Sequence, residues 1–180
     1  MVYMILGKGF EETEAIFPCD ILRRCGVELR LAGIGGTSVV SSHGVIVQAD
    51  LPVDEIDQSK LDMIILPGGG VGVASIRASE AALKAVREAW EGGKYVAAIC
   101  AAPTILAMLG ITDGKKATCY PGCEPDMGTA LMQKDAQVVA DGRVITGQAA
   151  GAAAAFGLKL VEVLCGRAAA ERVKAGMVIR

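Results

Sequence analysis

Residues Lys94–Met108 read KYVAAICAAPTILAM, and the fold turns on this stretch. Tyr95–Ile99 is a short apolar run of the kind that forms a buried strand, and Pro103 suits the first turn of a helix, where its missing N–H is no loss. Cys100 stands between the two with no residues to spare for a loop. A strand turning so sharply into a helix strains its corner residue and pushes it outward. It also needs small residues two positions to either side, and Ala98 and Ala102 meet that need. This is the pattern of a nucleophile elbow, whose apex side chain projects above the carboxyl edge of a parallel sheet. The dipole and unpaired N–H groups of the following helix would favour a thiolate at Cys100. The competing reading is a buried, inert thiol, because free cysteine is among the most buried residue types.

The surrounding chain agrees with such a sheet. Its 180 residues suit one α/β domain, spanning 1–180, with a core of real size. The 52% hydrophobic content rests on Ala, Val, Ile and Leu with only 4% aromatic residues, as expected of a parallel sheet covered by closely packed helices. Lys and Arg total 18 against 20 Asp and Glu, so there is no basic footprint, and neither nucleic acid nor an anionic membrane is an expected partner. No apolar run reaches membrane-spanning length, and Met1–Leu6 is too short and too neutral for a signal peptide. The six cysteines are scattered, and read as reduced thiols of a cytoplasmic protein rather than a disulfide framework.

Outward from the elbow, Val2–Leu6 reads as an interior first strand and Glu11–Glu14 as the opening of a helix that runs to Cys25, stopped by Gly26. Gly7-x-Gly9-x-x-Glu12 is two thirds of a dinucleotide fingerprint, but the carboxylates that follow would repel a pyrophosphate. Pro18 removes the bond to the Glu14 carbonyl, which predicts a kink or a restart there. Val27–Ala32 and Met63–Leu66 read as further strands, the second closed by the Pro67-Gly68-Gly69-Gly70 turn. Leu51–Lys60 reads as a polar connection with one helical turn. Hairpins are expected around His43-Gly44 and Asp141-Gly142, a short strand at Ala117–Cys119, and helices over Glu80–Trp90, Ala152–Cys165 and Ala168–Lys174. The alternation predicts a doubly wound, mostly parallel sheet with helices on both faces.

In such a sheet the ligand crevice lies outside the carboxyl ends of the strands. Glu14, the Pro67–Gly70 turn and Cys100 all arrive there. Singly, each has a plain reading: Glu14 as a helix-opening acid, the glycines as a tight turn, Cys100 as a packed thiol. Together they supply a sulfur nucleophile, a carboxyl beside it, and bare backbone N–H groups at Gly69 and Gly70 for a developing oxyanion. That is the minimal kit for addition to a carbonyl.

Three motifs, Gly7-Lys8-Gly9-Phe10-Glu11-Glu12-Thr13-Glu14, Leu66-Pro67-Gly68-Gly69 and Ala97-Ala98-Ile99-Cys100-Ala101-Ala102-Pro103, stand in order at compatible spacing. With them the chain resembles the ThiJ/PfpI superfamily, in its DJ-1-like branch of the Parkinson-associated protein deglycase, from about Val2 to Lys174. The resemblance implies a flavodoxin-like sheet and a homodimer. It assigns the nucleophile to Cys100, a protonated hydrogen-bonded carboxyl to Glu14, and oxyanion contacts to the backbone at Gly69 and Ala101. The implied activity needs no cofactor. A Cys100 thiolate adds to a small 2-oxoaldehyde such as methylglyoxal, and Glu14 shuttles protons through an enediol to the 2-hydroxy acid, as in glyoxalase III and deglycase chemistry.

The chain also departs from that pattern. Ala101 replaces the histidine that follows the cysteine in protease-like branches, so peptidase chemistry is not expected. Tyr120, before Pro121, replaces a loop histidine common in the branch, and Ala149-Ala150-Gly151-Ala152 replaces its Gly-Pro-Gly-Thr loop. The sole histidine, His43, falls where the branch often has an arginine at the dimer contact. Cys119 and Cys123 flank the Tyr120-Pro121-Gly122 turn as a resolving thiol for Cys100, half a metal site, or unpaired structural cysteines. Two thiols without further ligands argue weakly for zinc, and no metal is expected. The alternative function is a redox-sensing or chaperone-like stress protein whose Cys100 is oxidised rather than catalytic.

Overall fold

The computed structural model describes residues Met1–Arg180. Its strands are β1 (Val2–Leu6), β2 (Leu29–Gly33), β3 (Ser38–Val40), β4 (Ile46–Gln48), β5 (Leu51–Pro52), β6 (Met63–Leu66), β7 (Tyr95–Ile99), β8 (Lys116–Ala117), β9 (Leu131–Met132), β10 (Val138–Asp141) and β11 (Val144–Gly147). Its helices are α1 (Glu12–Arg24), α2 (Gly70–Ala78), α3 (Glu80–Glu91), α4 (Pro103–Met108), α5 (Ala153–Cys165) and α6 (Arg167–Gly176). Seven strands form one sheet in the order β10-β11-β7-β6-β1-β2-β5, parallel throughout except for the β10–β11 hairpin. This is the expected single-domain, doubly wound α/β architecture.

Two cores follow from the period-two alternation of the inner strands. Met4 and Leu6 of β1, Met63 and Ile65 of β6, and Ala97 and Ile99 of β7 face α1, α5 and α6. Tyr3 and Ile5, Ile64 and Leu66, and Val96 and Ala98 face α2, α3 and α4. All twelve are at most 2% exposed, so these strands must be apolar on both faces.

The structure corrects several expectations. α1 runs through Pro18 as one helix. Pro18 is buried against α5, where a side chain on Gly157 would come within 3.1 Å of the Pro18 Cα and 2.8 Å of Ile21 Cδ1. Close helix packing supports the turn that lacks a hydrogen bond. The glycine run after β6 is more than a turn, because Gly70 opens α2, a helix the sequence pattern does not announce. The second strand begins two residues later than expected, at Leu29, and Leu51–Pro52 is a short edge strand rather than simple connection. Lys116–Ala117 pairs with Leu131–Met132 in a separate two-stranded ribbon.

Candidate active site

The strand-to-helix corner is present at Cys100. Its φ is +66°, a left-handed value shared by only one other non-glycine residue, Val178. Such a conformation costs on the order of 1 kcal/mol and persists only where its surroundings enforce it. Here the Cys100 N–H donates to the Gly147 carbonyl at 3.0 Å, and the Cys100 carbonyl accepts from the Tyr120 N–H at 2.8 Å. Ala98 and Ala102 beside it are fully buried, as the tight corner requires.

Glu14 reaches the same point from the first turn of α1. Its backbone N–H is capped by Glu11 Oε2 at 2.7 Å, and the Glu11 N–H donates to the Gly68 carbonyl at 3.0 Å. These two bonds place the start of the helix against the β6 turn. The Glu14 side chain is 1% exposed, and its Oε2 accepts from the Gly68 N–H at 2.9 Å. The carboxyl also shares a hydrogen bond with the Cys100 thiol. Burial pushes the Glu14 pKa up from 4.5 to about 7, against the lowering effect of those hydrogen bonds.

The turn between β6 and α2 is shaped around this pair. A Cβ on Gly68 would stand 2.5 Å from Glu14 Oε2 and 2.6 Å from Cys100 Cβ. Gly69 has φ +88°, and a side chain there would meet the Gly9 carbonyl oxygen at 2.5 Å. The Gly69 and Ala101 N–H groups donate to the Cys100 sulfur. Gly70 is one residue further on, inside α2.

The expectation that the N–H groups and dipole of the following helix would favour thiolate over thiol at Cys100 is corrected. Burial, then the charge and hydrogen bond of Glu14, push the thiol up to about 12, while the Gly69 and Ala101 N–H groups pull it down. α4 is only six residues long, too short for its dipole to outweigh burial beside a carboxylate. The Glu14 carboxyl therefore gives up its proton near neutrality, while the Cys100 thiol holds its own far above that.

Two residues not singled out from the sequence complete the corner. The Thr104 hydroxyl, 3% exposed, donates to the Ala101 carbonyl at 2.6 Å, and the Arg77 guanidinium donates to that hydroxyl at 2.6 Å. The pair orients the Ala101 peptide. Thr104, one position after the proline of the elbow, is the signal that could have been read; Arg77 arrives from the unannounced helix α2.

The loop after β8 approaches Cys100 through the Tyr120 backbone, while the Tyr120 side chain is half exposed. Cys119 packs with Ala117 and Met127 in a small satellite cluster, and Cys123 lies against it. Burial and then the carboxylate of Glu124 push the Cys119 thiol up to about 12. His43 sits exposed on the β3–β4 turn, its Nδ1 2.9 Å from Glu12 Oε1. Ligand atoms of Glu11, Glu12 and His43 come within 4.8 Å of one another, but Glu11 caps α1 and Glu12 already holds both His43 and Ser42.

A strained cysteine at a strand-to-helix corner, paired with a buried carboxyl on the carboxyl edge of a doubly wound sheet, defines a thiol-centred α/β protein. Residues 1–163 match the DJ-1/PfpI family, and the chain belongs to that family. It is 37% identical to the Parkinson disease protein 7 homolog of Danio rerio, covering 98% of this chain and 96% of that one. It is 34% identical to a deglycase of Pyrococcus horikoshii, over 81% of this chain and 87% of that protein. The crystal structure of Drosophila melanogaster DJ-1beta superposes with a TM-score of 0.95 at 35% identity, covering 99% and 97% of the two chains. No helix is long and apolar enough to cross a membrane.

Proposed function

We propose that this protein is a thiol enzyme that converts small 2-oxoaldehydes such as methylglyoxal to 2-hydroxy acids, working as a homodimer in the cytoplasm. The observation that carries the reading is the Cys100 sulfur, held beside the Glu14 carboxyl by two backbone N–H donors. Membership of a family that includes proteins named deglycases supports the same class of chemistry.

Glu14 takes the thiol proton as Cys100 Sγ adds to the aldehyde carbon. The carbonyl oxygen gains the electron pair and takes that same proton from Glu14, giving a hemithioacetal and restoring the carboxylate. With Gly69 and Ala101 aiming N–H groups at the corner, charge developing there is met by fixed dipoles. The carboxylate of Glu14 then removes the proton from the former aldehyde carbon and returns it to the neighbouring carbon of the enediol, leaving a 2-hydroxy thioester. Water cleaves the C–S bond, releasing the 2-hydroxy acid and restoring the thiol. The sum is aldehyde plus water to acid, an internal redox exchange between adjacent carbons that needs no external oxidant. A carboxyl that titrates near 7 suits both directions of proton transfer.

The test is methylglyoxal turnover, with lactate measured directly, by wild type, C100S and E14Q. C100S is expected to fall to background, and E14Q by on the order of 100- to 10,000-fold. Unchanged lactate formation by C100S overturns the mechanism.

A second reading, peroxide sensing at Cys100, draws on the same geometry, since the Glu14 carboxyl and the two N–H groups would hold the oxygens of a sulfinic acid. Mass spectrometry after mild peroxide separates the two. A stoichiometric Cys100 sulfinate in a protein without turnover supports sensing, and an unmodified, active Cys100 excludes it.

A further inference from the structure

Glu11 and Glu14 clasp Gly68 between them. The Glu11 N–H donates to the Gly68 carbonyl at 3.0 Å, the Gly68 N–H donates to Glu14 Oε2 at 2.9 Å, and the Glu14 N–H donates to Glu11 Oε2 at 2.7 Å. These bonds close a ring through the two glutamates and the turn after β6. The ring also touches the donors around the sulfur, because a side chain on Gly69 would stand 2.8 Å from the Glu11 nitrogen. Glu11 is half-buried, and its carboxylate caps the same helical turn that carries a carboxyl only 1% exposed. Capping alone does not call for this residue. Serine and asparagine are favoured N-caps, and either would hold the Glu14 N–H without a charge. What Glu11 adds is a negative charge at the point where the acid of the site must ionise.

We propose that Glu11 is a positioning residue of the thiol site: its ring of bonds fixes Glu14 against Cys100, and its negative charge makes the Glu14 carboxylate a stronger base. A like charge within one helical turn disfavours ionisation of Glu14, and with that carboxyl out of water little solvent screens the effect. Burial is the larger cause of the raised Glu14 pKa, and the charge of Glu11 adds to it. With Glu14 as the proton carrier, the reading on which this rests, the carboxylate takes a proton first from Cys100 Sγ and then from the former aldehyde carbon. A stronger base does both faster, and in exchange a smaller fraction of it is ionised below neutrality.

The other charged groups around Glu14 are engaged elsewhere or exposed. Cys100, on the corner after β7, is its hydrogen-bond partner and a neutral thiol at pH 7. Glu12, next along α1, takes Ser42 and His43 of the β3–β4 turn, each at 2.9 Å. Arg77 of α2 donates to Thr104, and Lys159 and Glu162 of α5 pair with each other. Lys8, on the turn before α1, is exposed. The Pro67–Gly70 turn carries no charge, nor does Ala149–Ala152 ahead of α5. Among the charged groups, Glu11 alone both bonds to residue 14 and acts on its carboxyl.

The experiment compares wild type with E11Q and E11S, which keep an acceptor for the Glu14 N–H and remove the charge. Titration of Glu14 is followed by carbon NMR of protein labelled at glutamate Cδ, its resonance identified by its absence in E14Q. On the same proteins, kcat/KM for methylglyoxal is measured from about pH 5.5 to about pH 8.5. In both variants the Glu14 midpoint should fall, and the acid limb of kcat/KM should move to lower pH with it. The ratio of variant to wild-type kcat/KM should be roughly threefold greater at the acid end than at the alkaline end, whereas lost positioning alone would lower it equally at every pH. An unchanged Glu14 midpoint in folded E11Q and E11S overturns the proposal, as does a shifted midpoint with an unmoved kcat/KM limb. A wild type that forms no lactate removes the 2-oxoaldehyde reading instead, and the carbon titration then decides whether Glu11 tunes Glu14.

Discussion

The backbone N–H of Gly68 donates to Glu14 Oε2 at 2.9 Å, and the missing side chain of Gly68 is what lets Glu14 and Cys100 meet. A methyl group at that position would overlap both partners, at 2.5 and 2.6 Å. G68A should therefore leave the sheet intact and pull the carboxyl away from the sulfur. The expected result is native far-UV circular dichroism with methylglyoxal turnover reduced at least about 100-fold, a misplacement effect rather than a loss of chemistry. Full turnover in a folded G68A protein would contradict the pairing.

Glu14 also gives stability a pH dependence of known sign. Its carboxyl titrates at about 7 in the folded chain against 4.5 as a free side chain. Below 4.5 it is protonated in both states and the folded chain keeps its full stability. As pH rises, the unfolded chain ionises first, and stability is lost until the folded carboxyl also ionises near 7. The loss amounts to roughly 3 kcal/mol for this buried group. Urea denaturation at pH 4.5 and pH 8 should show it in wild type and not in E14Q. Parallel profiles for the two proteins would refute the shift.

Thr104 is a positioning residue, acting through the Ala101 peptide. T104V keeps its shape and removes the hydroxyl between Arg77 and the Ala101 carbonyl. It should cost about 1 kcal/mol of stability, because the Arg77 guanidinium loses its acceptor and the Ala101 carbonyl keeps only the Thr104 N–H. The kcat for methylglyoxal should fall about 10-fold with KM little changed, and T104S should restore both. A fall in stability without the kcat effect would leave Thr104 as a packing residue only.

At the α1–α5 crossing, G157A forces a methyl group against Ile21 Cδ1 at 2.8 Å and the Pro18 Cα at 3.1 Å. The proline backbone cannot yield locally, so the helices must separate, at a cost of about 1–3 kcal/mol. Calorimetry measures this directly. An unchanged Tm would mean that α1 is held by its ends and not by this contact.

What could be read from the chain alone is what is decided within a few residues. The apolar runs of β1, β6 and β7 are buried on both faces, and such runs have few other uses in a chain of this composition. The Ile99-Cys100-Ala101-Ala102-Pro103 corner is likewise local, since the strand end, the small neighbours and the helix-starting proline are adjacent. Glu14 was legible as a carboxyl opening α1 near the same sheet edge.

Tertiary structure alone decided the rest. The sequence of α2, GVGVASIRA, has weak helical character, and Gly72 is tolerated there because its Cα lies against the backbone of Phe10, where a Cβ would come within 2.6 Å. Helix propensity is a local quantity, and contact with a residue more than sixty positions away overrides it. The charge state of Cys100 is set in the same non-local way. The dipole of α4 is visible in the sequence, but burial and the adjoining Glu14 carboxylate are not, and they dominate. The α1–α5 crossing belongs here too: Gly157 and Pro18 come together from opposite ends of the chain, and the energy of their contact lies in packed atoms that no local pattern announces.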